Sequence, residues 1–307
     1  MRKVLIFYCS YGGGHLTAAR SVKEYIDANY DDTETLLVDC IEYINKALNK
    51  VSTKAFVGIS KNAHWAWKQL YYSAENNGTF SKISNAANRV MAIKLKKLIK
   101  KVKPDLIVST HMFSSQMCSR LKKKRRIHCK LATIMTDYET HNQWLINYAV
   151  VDYFFVAHDG MKNALISKGI DKNKIFVAGI PLSNRFLANY DKEKILSDFG
   201  LQVGKITILF FAGGEYGFGK DKTFRILKSL ISSFINIQVI AIAGKNIKMK
   251  EQFETLVAET GSNENVKVLE YTDKVPELMS VSDLVITKPG GLTTTESIAS
   301  RSPDNSY

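Results

Sequence analysis

The first residues with chemistry to offer are Gly12-Gly13-Gly14-His15, where a buried apolar run turns into a helical pattern. Glycines at such a turn let the backbone approach a ligand closely, and the N-terminus of a helix favours negative charge. An imidazole that titrates near neutrality is suited to taking a proton from a hydroxyl. The bland reading, a histidine that caps or packs the first helical turn, stands beside the catalytic one. The loop is not GxGxxG, the nearest acid to the end of the second strand is Asp39, and no GxxxxGK[ST] occurs. The usual dinucleotide and P-loop patterns are therefore absent.

Three polar turns follow in the second half: Ala212-Gly213-Gly214-Glu215, Gly244-Lys245-Asn246, and Lys288-Pro289-Gly290-Gly291-Leu292-Thr293-Thr294-Thr295-Glu296. The last is the most specific. A Gly-Gly turn that opens a helix can donate backbone N–H groups to a diphosphate. Glu296, one turn further on, could accept hydrogen bonds from ribose hydroxyls. Capping of the helix by Thr293 to Thr295 and Glu296 is the alternative. It leaves the paired glycines without a reason.

The elements that must position these residues alternate in type. Lys3 to Cys9, Thr35 to Val38, Asp105 to Ser109, Lys130 to Met135 and Tyr153 to Val156 read as strands, with a helix marked by Leu16, Ala19, Val22 and Ile26. After Gly179-Ile180-Pro181 the pattern restarts with strands at Ile206 to Phe211, Gln238 to Ala243, Val266 to Glu270 and Asp283 to Thr287, and a helix at Lys222 to Phe234. Apolar strands alternating with helices predict parallel sheets covered on both faces. Two Rossmann-like α/β domains result, 1–180 and 181–307. In such sheets ligands bind at the carboxyl ends of the strands, so a ligand between the domains would face both glycine-rich edges.

Composition sets outer bounds. The 307 residues are 45% hydrophobic and 23% charged, with 5 prolines and 18 glycines, as for a globular protein of two domains without a long linker. No apolar run approaches the roughly 20 residues of a membrane-spanning helix. With a strand beginning almost at Met1, no leader peptide is expected. Cys9, Cys40, Cys118 and Cys129 show no zinc spacing, so reduced cytosolic thiols are expected. The net charge of +14 is uneven: residues 1–190 hold 29 Lys and Arg against 14 Asp and Glu, and residues 191–307 hold 14 against 15. A basic half beside a neutral one fits an anionic surface, lipid or nucleic acid, although no nucleic-acid module is recognisable.

Four colinear motifs resemble those of monogalactosyldiacylglycerol synthases and bacterial processive diacylglycerol glucosyltransferases, glycosyltransferase family 28. They are Ser10 to Ala19, Met135-Thr136-Asp137-Tyr138 with His141 and Trp144, Gly179-Ile180-Pro181, and Lys288 to Thr293 with Glu296. The resemblance runs from residue 3 to about 299. It implies a GT-B fold, two Rossmann-like domains facing a cleft, and inverting transfer of a hexose from a UDP-sugar to diacylglycerol. On that reading His15 is the general base and Asp137 orients it or the acceptor. Gly213, Gly214, Glu215, Lys245, Gly290, Gly291, Thr293 and Glu296 hold the nucleotide sugar, while Gly13, Gly14, His141 and Trp144 serve the acceptor and membrane. No DxD triplet occurs, so no metal and no other cofactor is expected. Anionic lipids are the expected partners, met at the cytoplasmic face of the membrane. Leu121 to Arg126, the face Met91, Leu95, Leu98 and Val102 with its flanking lysines, and Phe56, Trp65, Trp67, Tyr71 and Tyr72 would make the contact.

Two departures qualify the resemblance. Ser183 stands where many relatives carry an arginine near the diphosphate, with Arg185 two residues on. The chain also runs from Ser300 into a polar tail, 301–307, without the last strand and helix units of relatives. The second domain is therefore expected to be incomplete and its turnover impaired. The competing readings are N-acetylglucosamine transfer to a polyprenyl-diphosphate lipid and a non-catalytic membrane- or nucleotide-binding remnant.

Overall fold

A computed structural model describes residues 1–10, 13–44, 92–212, 220–233 and 236–300. The aromatic stretch from Phe56 to Tyr72, Met91, Gly213, Gly214, Glu215 and the tail 301–307 lie outside the described residues. The chain divides into two compact units, Met1–Ser183 and Asn184–Tyr307. No described helix is long and apolar enough to cross a membrane.

In the first unit, β1 (Arg2–Tyr8), β2 (Thr33–Asp39), β3 (Leu106–Ser109), β4 (Lys130–Ile134), β5 (Tyr153–Val156) and β6 (Ile175–Val177) form one parallel sheet in the order β2-β1-β3-β4-β5-β6. Side-chain alternation sorts these strands onto two faces. Val4, Ile6, Val108, Ala132 and Ile134 meet Ala19, Val22 and Ile26 of α1 (Gly13–Asn29). Leu5, Phe7, Ile107, Leu131, Phe154 and Val156 lie against the other helices: α2 (Cys40–Ile44), α3 (92–102), α4 (Met112–Lys123) and α5 (Asp159–Ser167). Each fully buried Leu, Ile or Phe contributes about 1.5–3 kcal/mol, which is why short strands suffice. Strand β6 escapes the sequence reading because it is three residues long at the sheet edge, with Phe176 and Val177 exposed.

The second unit carries β7 (Ile206–Phe211), β8 (Ile237–Ile242), β9 (Val266–Leu269) and β10 (Leu284–Ile286), all parallel, in the order β10-β7-β8-β9. Its helices are α6 (Lys192–Asp198), α7 (Lys220–Ser233), α8 (Ile247–Glu259), α9 (Val275–Ser280) and α10 (Gly291–Ala299). Phe210, Val239 and Ala241 pack with Leu227 of α7 and with Phe253 and Leu256 of α8 in one core.

Both sheets have a topological switch point, a position between two neighbouring strands at which the strand order reverses. It falls between β1 and β3 in the first sheet and between β7 and β10 in the second. The crevice at the carboxyl end of such a pair is where open α/β sheets bind ligands.

Two expectations for the basic half change. Leu95, Leu98 and Ile99 of α3 are buried in the first core and Val102 packs against it, so that apolar face belongs to the protein and not to a lipid. Its Lys94, Lys97, Lys100 and Lys101 are exposed along the outer face. Within the run 121–126, Leu121 is buried and Lys122 is tied to the Asp152 carboxylate and the Cys129 carbonyl (3.0 Å). Only Lys123 to Arg126 remain exposed. Asp39 caps α2: its Oδ1 accepts from the amides of Ile41 (3.0 Å) and Glu42 (3.1 Å), and Oδ2 accepts from the Ser10 hydroxyl. All four cysteines are free thiols, with Cys9 and Cys40 3.6 Å apart in the core.

Candidate active site

His15 lies in the first turn of α1, at the carboxyl mouth of β1 and beside the end of β3. Its Nδ1 is 2.9 Å from the Thr110 carbonyl and 2.8 Å from the Thr136 hydroxyl. The Thr110 hydroxyl in turn donates to the His15 carbonyl at 2.8 Å, and its amide donates to the Phe7 carbonyl at 3.0 Å. A carbonyl can only accept, so Nδ1 carries the proton and Nε2 of the neutral ring keeps its lone pair. Burial pushes the His15 pKa below the ordinary histidine value; the Asp137 charge and the bond to Thr110 pull it part of the way back. The resting ring is therefore neutral at physiological pH, as a general base must be.

A second histidine shares the mouth. The His111 ring stands edge-on to His15, with centroids 4.4 Å apart. It caps α4 by accepting the Phe113 amide on Nδ1 at 3.1 Å, and burial followed by the charges of His15 and His141 drives its pKa well down. Beneath it lies a layer of buried hydroxyls. Ser109 and Ser114 both donate to the His111 carbonyl at 2.8 Å, and Ser115 pairs with Thr133 at 2.8 Å. These bonds fix the turn whose carbonyl holds His15. Thr136 stands in the motif Met135-Thr136-Asp137-Tyr138 without a role there, because its bond to His15 spans 121 residues, as that of Thr110 spans 95; for Thr110 and His111 a Thr-His-Met-Phe-Ser-Ser stretch at a strand end is the local signal.

Asp137 does not occupy the partner position on His15. Its Oδ2 accepts from Trp144 Nε1 at 3.3 Å and lies 4.0 Å from His141 Nε2, and among the described residues it acts on His15 through charge alone. Trp144 is 2% exposed within the core and offers no surface to a membrane; it positions Asp137 instead. His141 is mostly buried beside that indole. Gly13 and Gly14 open α1, and a side chain built at Gly13 would meet no described atom within 4 Å. Packing does not demand that glycine, which leaves the space above it for a ligand.

In the second unit the expected nucleotide loop lies at the β7/β10 switch point. Gly290 precedes α10 in extended conformation, and a side chain there would also meet nothing within 4 Å. The capping alternative fails. Among the described residues no side chain accepts from the Gly291, Leu292 or Thr293 amides, and the Thr295 hydroxyl bonds backwards to the Gly291 carbonyl at 2.7 Å. Three N–H groups and the helix dipole thus converge at this turn. Glu296 is 8% exposed, and burial alone raises its pKa to about 7. Lys245 follows Gly244 (φ 65°) at the end of β8, exposed, with its ammonium 5.1 Å over the Tyr271 ring. Arg185 is engaged with both Glu277 carboxylate oxygens (3.0 and 3.2 Å) and the Asp273 carbonyl (2.9 Å). Among the described residues no three His, Cys, Asp or Glu side chains are grouped to hold a metal ion.

Two parallel α/β units, each with a ligand-type mouth at its switch point, define the GT-B class. Solved structures of the same fold include Anabaena HepE in complex with UDP and glucose (TM-score 0.55, 14% identity, 98% of this chain and 79% of that one). A Staphylococcus aureus MnaA–UDP co-structure (0.61, 14%, 95% and 75%) and a UDP-GlcNAc 2-epimerase from Neisseria meningitidis bound to UDP-GlcNAc (0.59, 15%, 95% and 78%) are similar too. At such identities the likeness is one of fold.

The chain belongs to the monogalactosyldiacylglycerol synthase family. The model of that family matches residues 15–182, and the glycosyltransferase family 28 C-terminal domain matches residues 211–303. A processive diacylglycerol beta-glucosyltransferase of Staphylococcus aureus (strain JH9) is 33% identical over 301 residues, 97% of this chain and 73% of that protein.

Proposed function

We propose that the chain is a UDP-sugar-dependent glycosyltransferase that moves a hexose to the free hydroxyl of diacylglycerol with inversion. The observation that carries the reading is His15: a neutral imidazole with Nδ1 occupied at the sheet's switch point, in a member of this family. As the acceptor oxygen bonds to the anomeric carbon, its proton passes to Nε2. The bond from that carbon to the diphosphate oxygen breaks, and UDP leaves with the electron pair. The amides of Gly291, Leu292 and Thr293 meet the negative charge that develops on the leaving group, the role played by backbone donors in oxyanion holes. No metal is needed in this scheme. Gly213, Gly214, Glu215 and Lys245 complete donor binding, and the Glu296 carboxylate takes the ribose hydroxyls.

A lipid acceptor together with a nucleotide-sugar donor supports a peripheral enzyme on the cytoplasmic side of the cell membrane. The exposed lysines along α3 and the run Lys123 to Arg126 are the cations we assign to anionic headgroups, each worth about 1 kcal/mol near the surface. Transfer of radiolabelled hexose from UDP-glucose or UDP-galactose to diacylglycerol tests the activity. His15→Gln is expected to lower turnover by about 10²–10⁴-fold while UDP affinity is retained. Turnover that survives the substitution overturns the role of His15, and transfer to a polyprenyl-diphosphate acceptor alone overturns the acceptor.

A further inference from the structure

The general base of a hydroxyl-activating enzyme needs a fixed tautomer, and a carboxylate on the far ring nitrogen is the common device. Here Asp137 accepts from Trp144 and, among the described residues, acts on His15 only through its field. Among the described residues the atoms that touch Nδ1 are both uncharged: the Thr110 carbonyl at 2.9 Å and the Thr136 hydroxyl at 2.8 Å.

We propose that Thr136 is a positioning residue for His15: its hydroxyl and the Thr110 carbonyl jointly hold the proton on Nδ1, leaving Nε2 as the one ring nitrogen able to take a proton from the acceptor. The inference rests on the general-base reading of His15 and deepens it. If Nδ1 were unprotonated, the Thr136 hydroxyl could donate to it, but the Thr110 carbonyl would then face a lone pair at 2.9 Å with nothing gained. With the proton on Nδ1 both contacts are favourable in one state, a three-centre bond. Both acceptors stay engaged when Nε2 is protonated, so they favour the imidazolium formed during transfer.

The setting is built for this purpose. Thr136 is 5% exposed and Thr110 fully buried, and Thr110 also donates to the His15 carbonyl, clamping the residue from both ends. Among the described residues the titratable groups that act on the ring are Asp137 after β4 and His111 before α4. His111 accepts an amide on its own Nδ1 and is held neutral, so it neither supplies nor competes for the proton.

The test is nitrogen-15 NMR of the full chain labelled at histidine, with no donor or acceptor present, alongside pH–rate profiles. In the unsubstituted protein the neutral His15 ring is expected to show protonated Nδ1 and bare Nε2. The reverse tautomer overturns the proposal without any variant. Thr136→Val removes one acceptor and is expected to lower the His15 pKa by about one unit and turnover about tenfold, moving the acidic limb of kcat/KM to lower pH. Thr136→Ser is expected to restore all three. An unchanged or raised His15 pKa in Thr136→Val, or no recovery in Thr136→Ser, overturns it. The tautomer is read without catalysis, so an inactive protein with the expected tautomer refutes the transferase reading and leaves this one standing.

Discussion

Glu296 offers a stability measurement that reports directly on the donor site. Its carboxyl is buried in the first turns of α10, and desolvation raises its pKa from 4.5 to about 7. In the unfolded chain it titrates near 4.5, so between the two values the folded protein binds the proton more tightly. Folding stability from this group is therefore complete below pH 4.5 and is lost as pH rises through 7. At 1.36 kcal/mol per unit, the buried carboxylate costs about 3 kcal/mol by pH 8 and under about 1 kcal/mol at pH 5. Glu296→Gln keeps the shape and removes the charge. The variant should match the parent at pH 5 and exceed it by about 3 kcal/mol at pH 8, roughly 6–12 °C in Tm for a unit of this size. Urea unfolding at both pH values provides the assay. UDP binding should reverse the order, because ribose hydroxyls favour the carboxylate. Affinity for UDP is expected to fall as pH drops below 7, with proton release at pH 6 in calorimetry. A Glu296→Gln stability gain that does not change with pH would refute the buried-carboxylate reasoning.

Three other outcomes follow from the same geometry. Asp152 is pushed up by burial but held below the ordinary carboxylate value by Lys122 first, then by the Leu131 amide and Lys130; Asp152→Ala should cost about 1–3 kcal/mol at neutral pH in urea unfolding. The parent should lose that advantage as pH falls through the depressed pKa, a loss absent from the variant. Trp144→Ala should cost about 3–5 kcal/mol, whereas Trp144→Phe should fold well yet lower the His15 pKa in NMR if the indole N–H fixes Asp137. Arg185→Ala should leave UDP affinity within about twofold by calorimetry, because its guanidinium is already engaged by Glu277, and as an exposed pair should cost under about 1 kcal/mol.

The fold was readable because ordinary strands bury both faces. The run Val4 to Phe7 is buried on both faces, and Thr207 to Phe210 repeats the pattern ahead of a second glycine-rich turn. What periodicity could not resolve was ownership of an apolar stripe. Leu95 and Leu98 look identical on paper whether they face lipid or a sheet, and only the packing with Cys118, Leu121 and Leu131 in one core decides it. The site divides similarly. His15 and Gly290 announce themselves through local turn chemistry, a short-range signal. Thr110 and Thr136 acquire their roles only because β3 pairs with β1 and β4 with β3, a matter of register that no window along the chain contains. The resemblance gave Trp144 to the acceptor and membrane. Its ring is buried in the core and its indole N–H donates to the half-exposed Asp137 carboxylate, which leaves it no interface to meet.

The hydroxyls of Ser109 and Ser114 under the His111 turn have a wider implication. Greasy contacts tolerate a slight rotation of their partners; directed bonds do not, since their strength falls steeply with angle. A substitution there that empties no space, such as Ser114→Ala, can leave melting almost untouched while letting the turn drift by a fraction of an ångström. The protein's tolerance of heat and its tolerance of mutation in rate should therefore part company in this layer, and screens that rank variants by thermal robustness alone will pass enzymes that no longer work.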